Sequence, residues 1–110
     1  MGAMSRRKGA NAEREVAELL RSHGFAARRG QQFSGSPDSP DVVHDIDGIH
    51  LEVKRTERLS LYPAMEQAKR DRRAGDVPVV VTRQNGREWL AILPAEDFLT
   101  ILRALYRRPA

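Results

Sequence analysis

Two short segments of alternating apolar and polar residues, 41–46 and 49–54, are separated only by Asp47-Gly48. Asp-Gly between two such segments is a strong signal for a tight β-hairpin. With a two-residue turn, Ile46 faces Ile49. Counting outward from this pair, Val43 faces Glu52 and Asp41 faces Lys54. Residues that face each other across two strands point to the same side of the sheet. This register therefore predicts which side chains share a face.

The two faces of the predicted hairpin differ in polarity. One face is nearly all apolar and is predicted to be buried: Val42, His44, Ile46, Ile49, Leu51 and Val53. The other face carries the charged groups: Asp41, Val43, Asp45, His50, Glu52 and Lys54. Two carboxylates and an ammonium thus gather at one end of the hairpin. A solvated sheet face with a cross-strand ion pair would produce the same pattern.

The position of these charges and their chemistry favour a functional site. Residues 30–40 adjoin them and are rich in Gly, Ser and Pro, which predicts a loop of the kind that often carries function. Asp41 and Glu52 offer the hard oxygen ligands that Mg²⁺ prefers, and the Val53 carbonyl offers a third. Such an ion activates water and neutralises charge in phosphodiester hydrolysis, while Lys54 can stabilise the transition state. These residues predict a small metal-dependent DNA endonuclease that uses one or two ions.

A helix is predicted from about Gly9 to His23, ended by Gly24. Glu13 falls inside its core-facing arc, which is otherwise marked by Val16, Ala17, Leu19 and Leu20. A core-facing carboxylate is costly unless it is paired or coordinated. We therefore predict that Glu13 coordinates or supports the metal. The alternative is a glutamate placed near a helix N-terminus, where the helix dipole stabilises it.

The remaining segments complete one small α/β domain with a mixed central sheet flanked by helices, in the order αββαββα. The further predicted elements are a helix from Pro63 to about Ala74-Gly75, a strand at Val77–Thr82, a turn at Asn85-Gly86, a strand at Glu88–Leu93 and a helix from Ala95 to Arg107. Residues 1–3 are predicted to be an expression-tag remnant, and residues 4–110 the nuclease domain.

Composition narrows the function further. The chain has 110 residues with 19 Lys and Arg against 15 Asp and Glu, so a polyanion is an expected partner, although many small basic proteins bind no nucleic acid. It has no cysteine, which excludes a disulfide framework and a thiolate zinc site. No segment suggests a membrane span or a signal peptide, and we expect an intracellular, cytoplasmic protein.

The charged end of the hairpin also resembles a known signature. Pro40-Asp41, followed after ten residues by Glu52-Val53-Lys54, is similar to the PD-(D/E)xK nuclease motif. Residues 8–15 (Lys-Gly-Ala-Asn-Ala-Glu-Arg-Glu) and His23-Gly24-Phe25 resemble the start of the archaeal-type Holliday-junction resolvases, which also occur in phages. The resemblance covers roughly residues 6 to 100. It implies a restriction-endonuclease-like core in a homodimer that cuts four-way DNA junctions by paired nicks with Mg²⁺, for which Mn²⁺ substitutes. A phage-encoded member would act in the host cytoplasm.

The resemblance assigns roles to individual residues. Glu13, Asp41 and Glu52 match the acidic metal residues, and Lys54 matches the catalytic lysine. Ser34 corresponds to a loop serine needed for cleavage, with Ser36 as the alternative because this loop is longer than in the archaeal members. Gln67 resembles a glutamine near the active site of related nucleases, although a polar residue on a helix surface would look the same. The predicted DNA contacts are Arg6, Arg7, Lys8, Arg14, Arg28, Arg29, Ser34, Ser36, Arg55 and Gln67.

Several alternatives stay open at this point. A related nuclease that acts on linear or flapped duplex DNA would carry the same signature. A non-catalytic DNA-binding module is a third possibility, against which the intact acidic and lysine residues argue. The last helix presents a wide apolar stripe that serves either the core or a dimer contact: Phe98, Leu99, Ile101, Leu102, Leu105 and Tyr106. His23, His44 and His50 are predicted to be structural.

Overall fold

The computed structural model describes residues 2–30 and 41–107, with side chains from Lys8 onward. Three helices and five strands follow one another in the order αβββαββα. They are α1 (Gly2–Ser22), β1 (Ala27–Arg29), β2 (Val42–His44), β3 (Ile49–Lys54), α2 (Leu61–Asp71), β4 (Val77–Thr82), β5 (Leu90–Ile92) and α3 (Ala95–Leu105). The predicted class, a small α/β domain with a mixed sheet flanked by helices, is confirmed, and β1 is an addition to it.

The central sheet has the strand order β3-β4-β5. β3 and β4 are parallel, with Glu52 beside Val80 and Lys54 beside Thr82. β5 returns antiparallel to β4 and places Leu90 beside Thr82. The predicted return strand is therefore confirmed in direction, but it begins at Leu90 because residues 83–89 form a longer turn than the Asn-Gly pair alone requires.

The predicted pairing of the first hairpin is wrong. The chain does turn at Asp47-Gly48, where Gly48 has a φ of +81°, a value that favours glycine. In the described residues, however, β2 pairs with β1 rather than with β3, as Arg29 beside Val42 shows. β3 takes β4 as its partner instead. The side-chain alternation on β3 holds, but the strand that supplies its hydrogen bonds differs from the predicted one.

The two faces of β3 and β4 are covered by different helices. On one side, apolar residues of both strands pack with β2 and α1: Ala12, Val16, Ala17, Val42, Leu51, Val53, Val79 and Val81. On the other side, Val80 packs with Ala64, Met65 and Ala68 of α2. The predicted polar face of β3 lies on this α2 side. His50 and Glu52 are consequently buried, with exposures of 7% and 3%, and a solvated sheet face is excluded.

Helix α1 begins seven residues earlier than predicted, at Gly2, and ends as expected before Gly24. Gly24 has a φ of +93°, and the Phe25 N–H donates to the Leu20 carbonyl, which is the hydrogen bond of a Schellman C-cap. Val16 and Ala17 are buried as predicted. Leu19 was expected in the core but is 40% exposed.

Helix α2 begins at Leu61, before the predicted Pro63, and ends at Asp71, before the predicted Ala74-Gly75. Its first helical hydrogen bond runs from the Ala64 N–H to the Ser60 carbonyl. Pro63 therefore occupies the first turn, where its missing N–H would have had no acceptor within the helix. Helix α3 ends at Leu105 rather than Arg107, and none of its residues is buried.

His44 joins the end of β2 to the turn that follows it. Its Nδ1 accepts a hydrogen bond of 3.0 Å from the Ile46 N–H, and the ring also bonds to the backbone of Ile49. Burial lowers the pKa of His44 below its ordinary value of 6.5, because the imidazolium is poorly solvated there. The fold therefore favours the neutral form of this ring over the protonated form.

This burial predicts a pH-dependent stability. Between the lowered pKa of His44 and 6.5, the unfolded chain binds more protons than the folded chain, so the free energy of unfolding falls as the pH drops through that range. His44→Asn keeps an acceptor near Nδ1 but cannot be protonated. Urea denaturation between pH 7.5 and 5.5 should show a smaller loss in this variant than in wild type. His23→Asn, at an exposed position, controls for removal of an imidazole, and equal pH slopes for His44→Asn and wild type would contradict the assignment.

Candidate active site

Asp41 lies between the end of β1 and the edge of β3. Its Oδ2 accepts a hydrogen bond of 2.9 Å from the Val53 N–H, and its carbonyl accepts one of 2.9 Å from the Gly30 N–H. Val53 thus turns its N–H away from β4 and toward the carboxylate. Because the N–H and C=O of one strand residue point to the same edge, the Val53 carbonyl lies on the Asp41 side as well.

Glu52 projects from β3 toward the α2 side, and its carboxylate has two different neighbours. Oε1 is 3.1 Å from Nε2 of His50, and Oε2 is 3.9 Å from Nζ of Lys54. The side chain is almost wholly buried. A buried carboxylate without such partners would be strongly destabilising. The Asp41 carboxylate lies beside the same stretch of β3 as Glu52, because it accepts a hydrogen bond from the residue that follows Glu52.

Lys54 is held from α2. Its Nζ donates a hydrogen bond of 2.6 Å to Oε1 of Gln67. The ammonium is therefore fixed between this amide and Oε2 of Glu52. Gln67 has a defined place in the site, and the alternative of a polar residue on a helix surface is excluded.

Glu13 is buried on α1 and is paired with Arg29 of β1. The Arg29 Nε donates a hydrogen bond of 2.8 Å to Glu13 Oε1. Burial raises the pKa of Glu13, the Arg29 guanidinium opposes that rise, and the charge of Glu52 adds to it. The negative charge of Glu52 therefore acts on the Glu13 carboxyl group. Because α1 begins at Gly2, Glu13 lies well beyond the first turn, and the explanation by the helix dipole is excluded.

The donor set near Val53 fits a hard divalent cation. In the described residues, no three His, Cys, Asp or Glu side chains form a group that could hold a metal ion. Asp41 and Glu52 supply two carboxylates, and the Val53 carbonyl points to the same edge. Mg²⁺ commonly binds one or two carboxylates and completes its shell with water and substrate phosphate. Glu13 is paired with Arg29 in this structure, and its role toward a metal stays a prediction.

A comparison with known families identifies the kind of protein that carries this site. The family model described as archaeal Holliday junction resolvase (Hjc) matches residues 4–106. The chain belongs to this family. The match spans nearly the whole chain and includes Glu13, Asp41, Glu52 and Lys54. This member of the Hjc family is therefore a Holliday junction resolvase nuclease, and the resemblance noted in the sequence is confirmed.

The basic residues predicted to bind DNA fall into two groups in this Hjc-family chain. Lys8, Arg14 and Arg28 are exposed, and Arg14 donates a hydrogen bond of 3.0 Å to the neighbouring Asn11 side chain. Arg29 is engaged by Glu13, as described above. The side chains of Arg6 and Arg7, together with Ser34 and Ser36, lie outside the described residues.

Arg55, also predicted to bind DNA, has a buried side chain that is paired with other residues of the fold. Its side chain is 6% exposed and forms an ion pair of 2.8 Å with Glu57. It also donates to the carbonyl of Arg83 and to the Asn85 side chain, both in the turn between β4 and β5. The Arg55 and Asn85 hydrogen bonds lower the pKa of Glu57. Arg55 therefore ties the end of β3 to that turn.

Sequence reasoning missed two features that shape the site. β1 brings Arg29 to Glu13, but Ala27-Arg28-Arg29 shows no alternation of apolar and polar residues that would have indicated a strand. The second feature is the contact between His50 and Glu52. The alternation of β3 placed both on one face, but it carried no information on whether their side chains touch.

The contribution of the Glu13–Arg29 ion pair to the stability of the protein can be tested by mutation. Arg29→Ala should leave a buried carboxylate without its donor and lower the free energy of unfolding by about 1–3 kcal/mol. In the Glu13→Gln background, the same substitution should cost much less, because a neutral amide needs no cation. Chemical denaturation of the four proteins of this cycle measures the coupling. Arg28→Ala, at the exposed neighbouring position, is the matched control, and equal losses in both backgrounds would disprove the pairing.

Proposed function

We propose that this chain resolves four-way DNA junctions by Mg²⁺-dependent hydrolysis of one phosphodiester in each of two strands. The observation that carries the proposal is the arrangement of three charged residues around Val53 in a chain of the Hjc family. Asp41 accepts a hydrogen bond of 2.9 Å from the Val53 N–H, and Lys54 Nζ lies 3.9 Å from Oε2 of Glu52 on the same strand. Asp41, Glu52 and the Val53 carbonyl would hold the ion. Mn²⁺ should substitute, because carboxylate, carbonyl and water ligands suit it equally.

The bound ion would supply an activated water and neutralise charge at the phosphate. The protein's own residues place the remaining groups. Lys54 presents its ammonium where negative charge develops on the phosphate oxygens, and Gln67 keeps it there. Glu13 and Arg29 form a neutralised pair next to Glu52, so Glu13 supports the site electrostatically rather than as one of its two anionic ligands. A loop serine, Ser34 or Ser36, is proposed to contact the scissile phosphate.

DNA binding is assigned to the exposed basic residues and is expected to follow shape rather than base sequence. Lys8, Arg14 and Arg28, with Arg6 and Arg7, are proposed to contact phosphates. Arg29 and Arg55 are assigned mainly to their internal partners. Affinity for DNA should fall with salt, with a logarithmic slope of about −0.9 per phosphate neutralised. Because the substrate is DNA, we place the enzyme in the cell interior.

Paired cuts require two active sites, and we propose a homodimer formed through α3. This helix buries none of its residues, and its apolar side chains are open: Phe98 is 47% exposed, Leu99 56% and Leu105 70%. Leu90 on the edge strand β5 is 52% exposed. A two-fold dimer matches the approximate two-fold symmetry of a four-way junction. None of the helices in the described part of the chain combines the length and hydropathy needed to cross a membrane.

The decisive assay compares a four-way junction with linear and flapped duplexes of equal length in Mg²⁺. We expect rapid paired nicking of the junction and little cutting of the other substrates, because the enzyme reads branch geometry. Equal rates would instead favour a related nuclease for duplex DNA, and binding without any cutting would favour a non-catalytic module. Asp41→Asn should retain junction affinity and lose cleavage by at least about 100-fold, because one anionic ligand is removed. Retained cleavage would refute its role.

The dimer proposal is tested by placing a charge on α3. Leu105→Glu should weaken dimerisation by about 100-fold, or about 2.8 kcal/mol, because a buried charge would lack a partner. Sedimentation equilibrium measures this change, and the variant should make single nicks where wild type makes pairs. Leu19→Glu substitutes an exposed leucine on α1 and serves as the control. A wild-type monomer, or a dimer unaffected by Leu105→Glu, would contradict the assignment.

A further inference from the structure

His50 is the one buried histidine of the described chain, and neither the family match nor the proposed hydrolysis assigns it a role. It lies on β3 two residues before Glu52 and on the same face of the strand. Its ring is 8% exposed, and its Nε2 lies 3.1 Å from Glu52 Oε1, whose side chain is 4% exposed. A hydrogen bond between two groups this deeply buried is shielded from competing water.

The direction of this hydrogen bond follows from chemistry. A carboxylate that serves as an anionic ligand is ionised, and an ionised carboxylate can only accept hydrogen bonds. Nε2 of His50 must therefore carry the proton and donate it to Oε1. Oε1 of Glu52 thus accepts the hydrogen bond from His50, whereas Oε2 is the oxygen that faces Lys54.

The distance between Glu52 and Lys54 shows what this hydrogen bond does. Nζ and Oε2 are 3.9 Å apart, which is longer than the 2.7–2.9 Å of a direct charge-assisted hydrogen bond. The two groups carry opposite charges and attract each other, although the Lys54 side chain is 30% exposed, so the longer distance indicates that other contacts hold them apart. Lys54 is held on one side by Gln67 at 2.6 Å, and Glu52 is held on the other side by His50 at 3.1 Å.

We infer that His50 is a positioning residue that fixes the Glu52 carboxylate, so that Oε2 is presented to a divalent cation instead of collapsing onto Lys54. The inference rests on the proposed function, because it gives Glu52 a metal to bind. His50 itself touches neither the metal nor the DNA. Partners that orient a metal ligand in this way typically change metal affinity by about 10- to 100-fold when they are removed.

The test measures Mn²⁺ binding to the DNA-free protein by calorimetry in wild type and three variants. His50→Phe keeps an aromatic ring and removes the donor, and it should weaken Mn²⁺ binding by about 10- to 100-fold. His50→Gln restores an N–H near the position of Nε2 and should stay within about threefold of wild type. His44→Phe removes the histidine at the end of β2, whose Nδ1 accepts a hydrogen bond from the Ile46 N–H, and should bind Mn²⁺ as wild type does.

Three outcomes would overturn the inference. His50→Phe could bind Mn²⁺ with wild-type affinity, His50→Gln could lose as much as His50→Phe, or His44→Phe could lose equally, which would indicate a general effect of packing. A measurement on the metal-free wild-type protein tests the hydrogen bond even if His50→Phe does not fold. Nitrogen-15 NMR of wild type should show the His50 proton on Nε2, and a neutral ring with its proton on Nδ1 would disprove the hydrogen bond.

The same measurements separate this inference from the proposed function. If wild type binds Mn²⁺ and cuts junctions while His50→Phe binds equally well, only the role of His50 fails. If wild type neither binds Mn²⁺ nor cuts a junction, the metal-dependent function fails, and the role of His50 toward a metal fails with it. Junction affinity in EDTA should be equal in wild type and all three variants, since none of the substituted side chains is assigned to DNA.

Discussion

The hydrogen bond from the Val53 N–H to Asp41 Oδ2 organises the rest of the site. An edge N–H of β3 would ordinarily pair with a neighbouring strand. Here a side-chain carboxylate accepts it, which leaves β2 to pair with β1. That pairing in turn carries Arg29 to the buried Glu13. One contact therefore joins the acidic residue before β2 to the strand that carries Glu52 and Lys54.

Glu13 and Glu52 are buried and Lys54 is half-buried, and each of the three is held by a partner within the fold. Glu52 is held by His50 of its own strand, Lys54 by Gln67 of α2, and Glu13 by Arg29 of β1. In the described residues, no buried side-chain nitrogen or oxygen lacks a hydrogen-bond partner. This complete pairing matters because an unsatisfied buried charge would cost more than a small domain can tolerate. These internal partners therefore hold the charged side chains of the site in place.

The other end of the molecule shows the opposite arrangement. The strand β5 and the helix α3 present apolar side chains that the described chain does not cover. The core under α1 and the smaller core under α2 consist largely of valine and alanine, so the domain is modest in its buried apolar surface. A second copy that covers α3 would add to this surface and set two active sites at a fixed separation. Stability and paired cleavage would then depend on the same contact.

The sequence by itself determined the properties that depend on local periodicity. Alternation along β3 separated Leu51 and Val53 from Glu52 and Lys54, the helical period placed Glu13 in the core, and the short motifs indicated the family. The tertiary structure alone decided which strands pair, which predicted core positions remain exposed, and which charges meet. Leu19, Arg29 and Arg55 illustrate this limit. Periodicity tells which way a side chain points, but hydrogen-bond partners and contacts between distant residues depend on how the whole chain packs.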